Sequence, residues 1–135
     1  MTSHLPVFTD NVLPSMLIHL GVIDISSSLG LSHVFPTVAP ETLASRLDIF
    51  KDENGCTPTE PLEEGPILTP AQAYILRAAA IDACEMIVEH AKRRDSSLAA
   101  ELTLPDLDMW IWAVAKDRAD YRKLPRFVLK DTVFF

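Results

Sequence analysis

A long helix from residue 70 to about residue 94 most constrains the fold of this chain. Thr69 and Gln72 form a capping box, and Pro70 takes the first helical position, which does not need its missing N–H. Small residues at 78–80 allow a second helix to approach closely. A broad apolar band follows helical spacing: Leu76, Ala80, Ala83, Cys84, Ile87, Val88 and Ala91. We therefore expect a central packing helix and a mainly α-helical fold.

A second helix is predicted near residues 11–20. Asp10 precedes its apolar series and suits the N-cap, because a carboxylate oxygen accepts a free N–H of the first turn. Gly21 stands where a left-handed C-cap is expected. One interpretation is a simply capped amphipathic helix. The other is an acidic site at a helix N-terminus, in which Phe8 and Asp10 open onto a pocket.

A third helix is predicted from residue 104 to about residue 121. Its core face is expected to carry Leu107, Trp110, Ile111 and Val114. Asp108 and Trp112 are four residues apart and share a different face. An acid beside an indole can hold a flat, nitrogen-rich ring, since the acid accepts hydrogen bonds and the indole stacks. Alternatively, Asp108 is a first-turn acid that stabilises the helix N-terminus, and Trp112 belongs partly to the core.

The remaining segments fit a single domain over residues 1–135. A short helix is predicted over residues 40–50. Residues 51–69 are acidic, rich in Pro and Gly and without apolar periodicity until Ile67, which indicates a flexible loop or, less favoured, a recognition segment. The apolar, β-prone tail after Pro125 is expected to extend and close the core.

Charge and composition limit the classes of function. The net charge is −7, and an acidic surface opposes direct binding to nucleic-acid phosphates, so a small substrate is favoured. The start lacks the features of a signal peptide, and the most apolar stretch is too interrupted to cross a membrane. The two cysteines, Cys56 and Cys84, suit a reducing, cytoplasmic setting. Zinc-ligand spacing, phosphate loops and dinucleotide loops do not occur, so no metal or cofactor is expected.

Three segments in order resemble the queuosine salvage family. They are VFTDNVLPSMLIHLGVI at residues 7–23, ILRAAAIDACEMI at residues 75–87, and LPDLDMWIWAVAKDRADYRKLPRFVLKDTVFF at residues 104–135. The resemblance implies a helical, DNA-glycosylase-like domain. It also implies an enzyme that hydrolyses queuosine 5′-phosphate and releases queuine for reuse in tRNA modification, with a small nucleotide as substrate and no cofactor.

The resemblance also assigns site residues. Phe8 matches a base-contacting aromatic, Asp10 the catalytic carboxylate, and Asp108 with Trp112 the base-binding pair. Ala113 stands where the family often has an acid, and Ile75 where it usually has a Glu. The matched region corresponds only to the C-terminal part of family members, which leaves three interpretations of the chain open: a fragment, a truncated product or an incomplete gene model.

Two other functions are compatible with the same residues. A truncated helical remnant or interaction module would keep the core without catalysis. A DNA-glycosylase-like nucleic-acid binder would need a basic surface, which the net charge of −7 disfavours. The substrate's phosphate requires cations, for which Arg118, Arg122 and Lys123 are candidates.

Overall fold

The fold was described from a computed structural model, over residues 10–35, 40–48, 65–97 and 101–130. It is mainly helical, as predicted. The helices are α1 (Val12–His19), α2 (Pro40–Leu47), α3 (Pro70–Arg94), α4 (Leu104–Asp117) and α5 (Ala119–Arg122), and the two short strands are β1 (Ile67–Leu68) and β2 (Val128–Leu129). Within these residues no helix is both long and apolar enough to cross a bilayer.

Capping boxes begin both long helices. At α3, the Thr69 hydroxyl accepts the Gln72 N–H at 3.2 Å, and the Gln72 side chain accepts the Thr69 N–H at 2.9 Å. Thr103 and Asp106 make the same exchange at the start of α4. Each box satisfies backbone donors that have no partner within the helix. The predicted limits of α3 are confirmed.

Helix α1 is buried on every side, although the sequence predicted an amphipathic helix. Val12, Leu13, Met16 and Leu17 join a buried cluster with residues of α3 and α4. Ile18 belongs to a second cluster, with Phe35, Leu68 and Phe127. The helix therefore lies between two parts of the core. It ends as predicted at Gly21, whose φ of 74° favours glycine.

Three polar side chains of α1 bind the backbone near the C-terminus. The Asn11 amide donates to the Phe127 carbonyl at 3.0 Å, and the Ser15 hydroxyl accepts the Phe127 N–H at 3.2 Å. The His19 Nε2–H donates to the Pro125 carbonyl at 2.7 Å. These residues are spaced by four and so form one stripe along the helix. We call Asn11, Ser15 and His19 the polar stripe.

The two strands pair in parallel, with Ile67 opposite Val128 and Leu68 opposite Leu129. The Val128 N–H donates to the Pro66 carbonyl at 2.9 Å, and the Lys130 N–H donates to the Leu68 carbonyl at 2.8 Å. Leu68 is fully buried. The predicted loop at 51–69 thus ends in a strand, while its residues 51–64 lie outside the described residues. The extended tail is observed at residues 128–129.

The end of the third predicted helix differs from the sequence expectation. Helix α4 stops at Asp117, because Arg118 is extended, with φ −78° and ψ 126°, and α5 then begins. The Arg118 guanidinium binds Asp120 through two nitrogens, at 2.7 and 3.1 Å, and lies 4.4 Å from the centre of the Tyr121 ring. These contacts stabilise the bend.

Helix α2 also ends early, at Leu47 rather than near Phe50.

Gly65→Ala should destabilise the fold. A Cβ at Gly65 would collide with the backbone carbonyl of Arg126, next to the paired strands, and backbone has to move to relieve it. We expect a loss of about 1–3 kcal/mol in the free energy of unfolding, measured by urea denaturation. Gly30→Ala is the matched control, since nothing lies within 4 Å of its added Cβ. A Gly65→Ala protein as stable as the control would contradict the close approach.

Candidate functional site

Asp10 lies immediately before α1 and is partly buried. Its Oδ1 accepts the N–H of Val12, the first residue of the helix, at 2.8 Å. The predicted acceptance of a first-turn N–H is therefore confirmed. The N-cap position itself is Asn11, whose side chain turns instead to the C-terminal tail.

Asp108 lies on α4 and is only 7% exposed. Its negative charge helps to raise the pKa of Cys84 on α3 to about 11, after the larger effect of burial of the thiol. Asp108 therefore lies close enough to α3 for its charge to act on this thiol. The sequence placed Asp108 on a face apart from the core, and this was wrong, because α4 contacts both α1 and α3 and so buries more than one face.

The first-turn acid of α4 is Asp106 rather than Asp108. Hydrogen bonds from the side chain and the backbone N–H of Thr103 lower the pKa of Asp106. Asp106 thus keeps its charge at the helix N-terminus, where the dipole favours it. The alternative role considered for Asp108, stabilising the N-terminus of α4, is therefore filled by Asp106. The burial of Asp108 is therefore not explained by capping of α4.

Trp112 is 38% exposed, one turn after Asp108 on α4. Trp110 is 55% exposed, so its predicted place in the core was wrong. The two indoles point to different sides of α4, since residues two apart do not share a face. The partly exposed ring of Trp112 leaves surface on which a planar ligand can stack.

The candidate site residues lie around one part of the core. Val12, two residues after Asp10, belongs to the same buried cluster as Cys84 and as Leu107, which precedes Asp108. Helix α1 contacts both α3 and α4. The fold therefore brings the segments that carry Asp10 and Asp108 to the same three-helix junction. Phe8 lies outside the described residues.

A separate apolar cavity of about 570 Å³ lies on another side of α4. Trp110, Ala113 and Asp117 line it from α4, and Met16, Leu47 and Tyr121 line it from other helices. Neither Asp108 nor Trp112 is among its lining residues. Sequence patterns missed this cavity because side chains from five helices form it.

The structure also reorders the candidate cations. Arg118 binds Asp120 and donates to the Asp48 carbonyl at 3.3 Å, so its guanidinium is already engaged. Arg77 on α3 lies in one of the three segments that carry the resemblance, but the sequence did not name it among the candidate phosphate-binding cations; its Nε and Nη2 are buried. The described residues contain no group of three or more metal-ligating side chains.

Comparison of this chain with protein-family models, curated proteins and solved structures finds no match. The site is therefore characterised by its residues and geometry alone.

Asp108→Asn should lower the pKa of the Cys84 thiol from about 11, because it removes a negative charge that opposes formation of the thiolate. Burial remains, so the pKa should stay above the ordinary 9.0. Thiolate absorbance can be titrated in a Cys56→Ser background, which leaves one thiol. An unchanged titration curve would mean that the Asp108 carboxylate does not face Cys84.

Proposed function

We propose that this chain carries the catalytic and base-binding carboxylates of a nucleotide N-glycosidase of the queuosine salvage type. The reaction is hydrolysis of queuosine 5′-phosphate, which releases queuine. The observation that carries this proposal is that the segments bearing Asp10 and Asp108 reach one helix junction. The Asp10 carboxylate is held at the start of α1 and Asp108 is buried on α4, while their neighbours Val12 and Leu107 share one apolar cluster.

Asp10 has the properties that cleavage of an N-glycosidic bond requires. The bond breaks through a sugar with oxocarbenium character, and a fixed carboxylate offsets the positive charge that develops at C1′. Attack by the same carboxylate on C1′ would instead form a covalent intermediate. In either route the C1′–N bond breaks first, and the leaving base takes up a proton. Water then adds at C1′, displacing the carboxylate where a covalent bond has formed, and its loss of a proton balances the one gained by the base. The hydrogen bond from the Val12 N–H orients the Asp10 carboxylate for either role.

Asp108 and Trp112 suit recognition of the base. A deazaguanine ring presents several N–H donors along one edge, and a buried carboxylate accepts such hydrogen bonds strongly because little water competes. The partly exposed indole of Trp112 offers a stacking surface one helical turn away. The net charge of −7 also suits queuine, which carries an amine on its side arm. A cytoplasmic enzyme of the DNA-glycosylase-like fold, with a small nucleotide as substrate, fits these features.

Asp10→Asn should abolish release of queuine from queuosine 5′-phosphate while the fold persists. Asparagine keeps the oxygen that accepts the Val12 N–H, so the melting temperature should change little. The loss of charge should slow the reaction by roughly 10²–10³-fold, or more if Asp10 is the nucleophile.

Asp24→Asn is the matched control for this experiment. Asp24 is exposed and accepts the Ser26 N–H at 2.9 Å, so it has a similar local role outside the junction. Its variant should keep full activity. Near-normal release of queuine by a folded Asp10→Asn protein would leave Asp10 with a capping role alone.

A second candidate function is a non-catalytic interaction module. Large apolar side chains are exposed on two helices: Tyr74, Ile75 and Met86 on α3, and Met109 and Trp110 on α4. Exposed apolar patches of this kind mark contact surfaces. This candidate predicts binding of a hydrophobic dye and self-association, with no release of queuine. A monomer by analytical ultracentrifugation that fails to bind the dye would count against it.

A further inference from the structure

Arg77 has an unusual environment on α3. The side chain as a whole is half-buried, but its Nε and Nη2 are shielded from solvent. Within the described part of the chain, these two nitrogens have no hydrogen-bond partner. A guanidinium stays charged at any ordinary pH, so it cannot lose its proton to reduce the cost of burial. An acceptor with negative charge is therefore the natural complement of this edge.

The position of Arg77 relates it to the candidate site. Arg77 precedes Cys84 by seven residues, which is nearly two turns, so both lie on one face of α3 about 10 Å apart along the axis. Cys84 packs in the same apolar cluster as Leu107, which precedes the buried Asp108 on α4. The half-buried cation of α3 therefore lies about two helical turns from the junction that the Asp108 segment borders.

Three other arginines among the described residues have partners within the fold. Arg118 binds Asp120, and the Nη2 of Arg126 donates to the Ala115 carbonyl at 3.2 Å. Arg93 pairs with Glu89 at 3.5 Å, with its side chain 78% exposed. In Arg77, by contrast, the Nε and Nη2 donors on one edge of the guanidinium are buried and have no hydrogen-bond partner among the residues that the structure describes. Nε and Nη2 present parallel N–H bonds, which match two oxygens of a phosphate or carboxylate.

We propose that the Nε–Nη2 edge of Arg77 binds the 5′-phosphate of the nucleotide through two hydrogen bonds. This inference rests on the proposed function for the identity of the nucleotide. Arg77, rather than the earlier candidate Arg118, is then the cation that binds the phosphate. Since the two nitrogens are shielded in the ligand-free chain, the side chain rotates toward the phosphate as the ligand binds. Arg77 is retained at a cost in stability because the ligand provides the acceptor.

Arg77→Met tests this directly. Methionine keeps most of the length and volume without charge, so the melting temperature should be unchanged or higher. Calorimetric titration should show roughly 10- to 100-fold weaker binding of queuosine 5′-phosphate, because two charge-assisted hydrogen bonds are lost. Binding of queuosine, which lacks the phosphate, should hardly change. Arg93→Met, on the exposed side of the same helix, is the control and should bind both ligands normally.

The outcomes separate this inference from the proposed function. Equal affinity of Arg77→Met and the unmodified chain for the nucleotide would overturn the role of Arg77 while leaving the function intact. If the unmodified chain binds neither ligand, the proposed function fails. Inorganic phosphate then tests the anion site: a rise in melting temperature that Arg77→Met lacks supports it, and no rise overturns it. If Arg77→Met does not fold, Arg77→Lys replaces it, because lysine keeps the positive charge but lacks the two parallel N–H groups of the guanidinium. Full affinity of Arg77→Lys for queuosine 5′-phosphate would overturn the two-bond geometry.

Discussion

The polar stripe of α1 holds the two ends of the described chain together. Asn11, Ser15 and His19 bind the backbone at residues 125–127, more than a hundred positions away. A stretch of backbone without its own ladder needs partners when it is buried, and α1 provides them. Phe127 is thereby placed in the core, and the next two residues pair with β1. The parallel pair of strands therefore depends on side chains of a helix.

Burial of α1 also determines the geometry of the candidate site. Because α1 lies between two apolar clusters, its position and rotation are fixed by contacts on all sides. Asp10 stands just before this rigid element, and its carboxylate is oriented by the first backbone N–H of the helix. A charged group held in this way needs little reorganisation when charge develops in a substrate. The same helix contributes to the core, to the closure of the tail and to the candidate chemistry.

Two charged side chains, Asp108 and Arg77, lie at or near the junction of α1, α3 and α4. Asp108 is buried in α4 and Arg77 half-buried in α3, whereas apolar side chains in their places would pack at lower cost. Asp106 already stabilises the start of α4, so Asp108 adds no necessary capping interaction. Buried charged groups are enriched at binding sites, because burial and neighbouring charges tune them for their ligands. The apolar cavity on the other side of α4 has no such groups apart from Asp117 and the engaged Arg118.

Local signals in the sequence were enough to predict the helical class, both limits of α3, the hydrogen bond that Asp10 accepts and the glycine that ends α1. Each of these depends on neighbours within one turn. Asp108 and Trp112 could be selected as a spaced pair for the same reason. Periodicity could not tell which faces of α4 would be covered, so Trp110 was placed inside and Asp108 outside. The polar stripe is visible in the sequence as polar residues spaced by four, at positions 11, 15 and 19. Its partners, the backbone groups of residues 125–127, are distant in sequence, so the contact could not be predicted. The burial of Asp108, the available edge of Arg77 and the pairing of β1 with β2 were decided only by tertiary packing, since each depends on segments that meet after the chain folds.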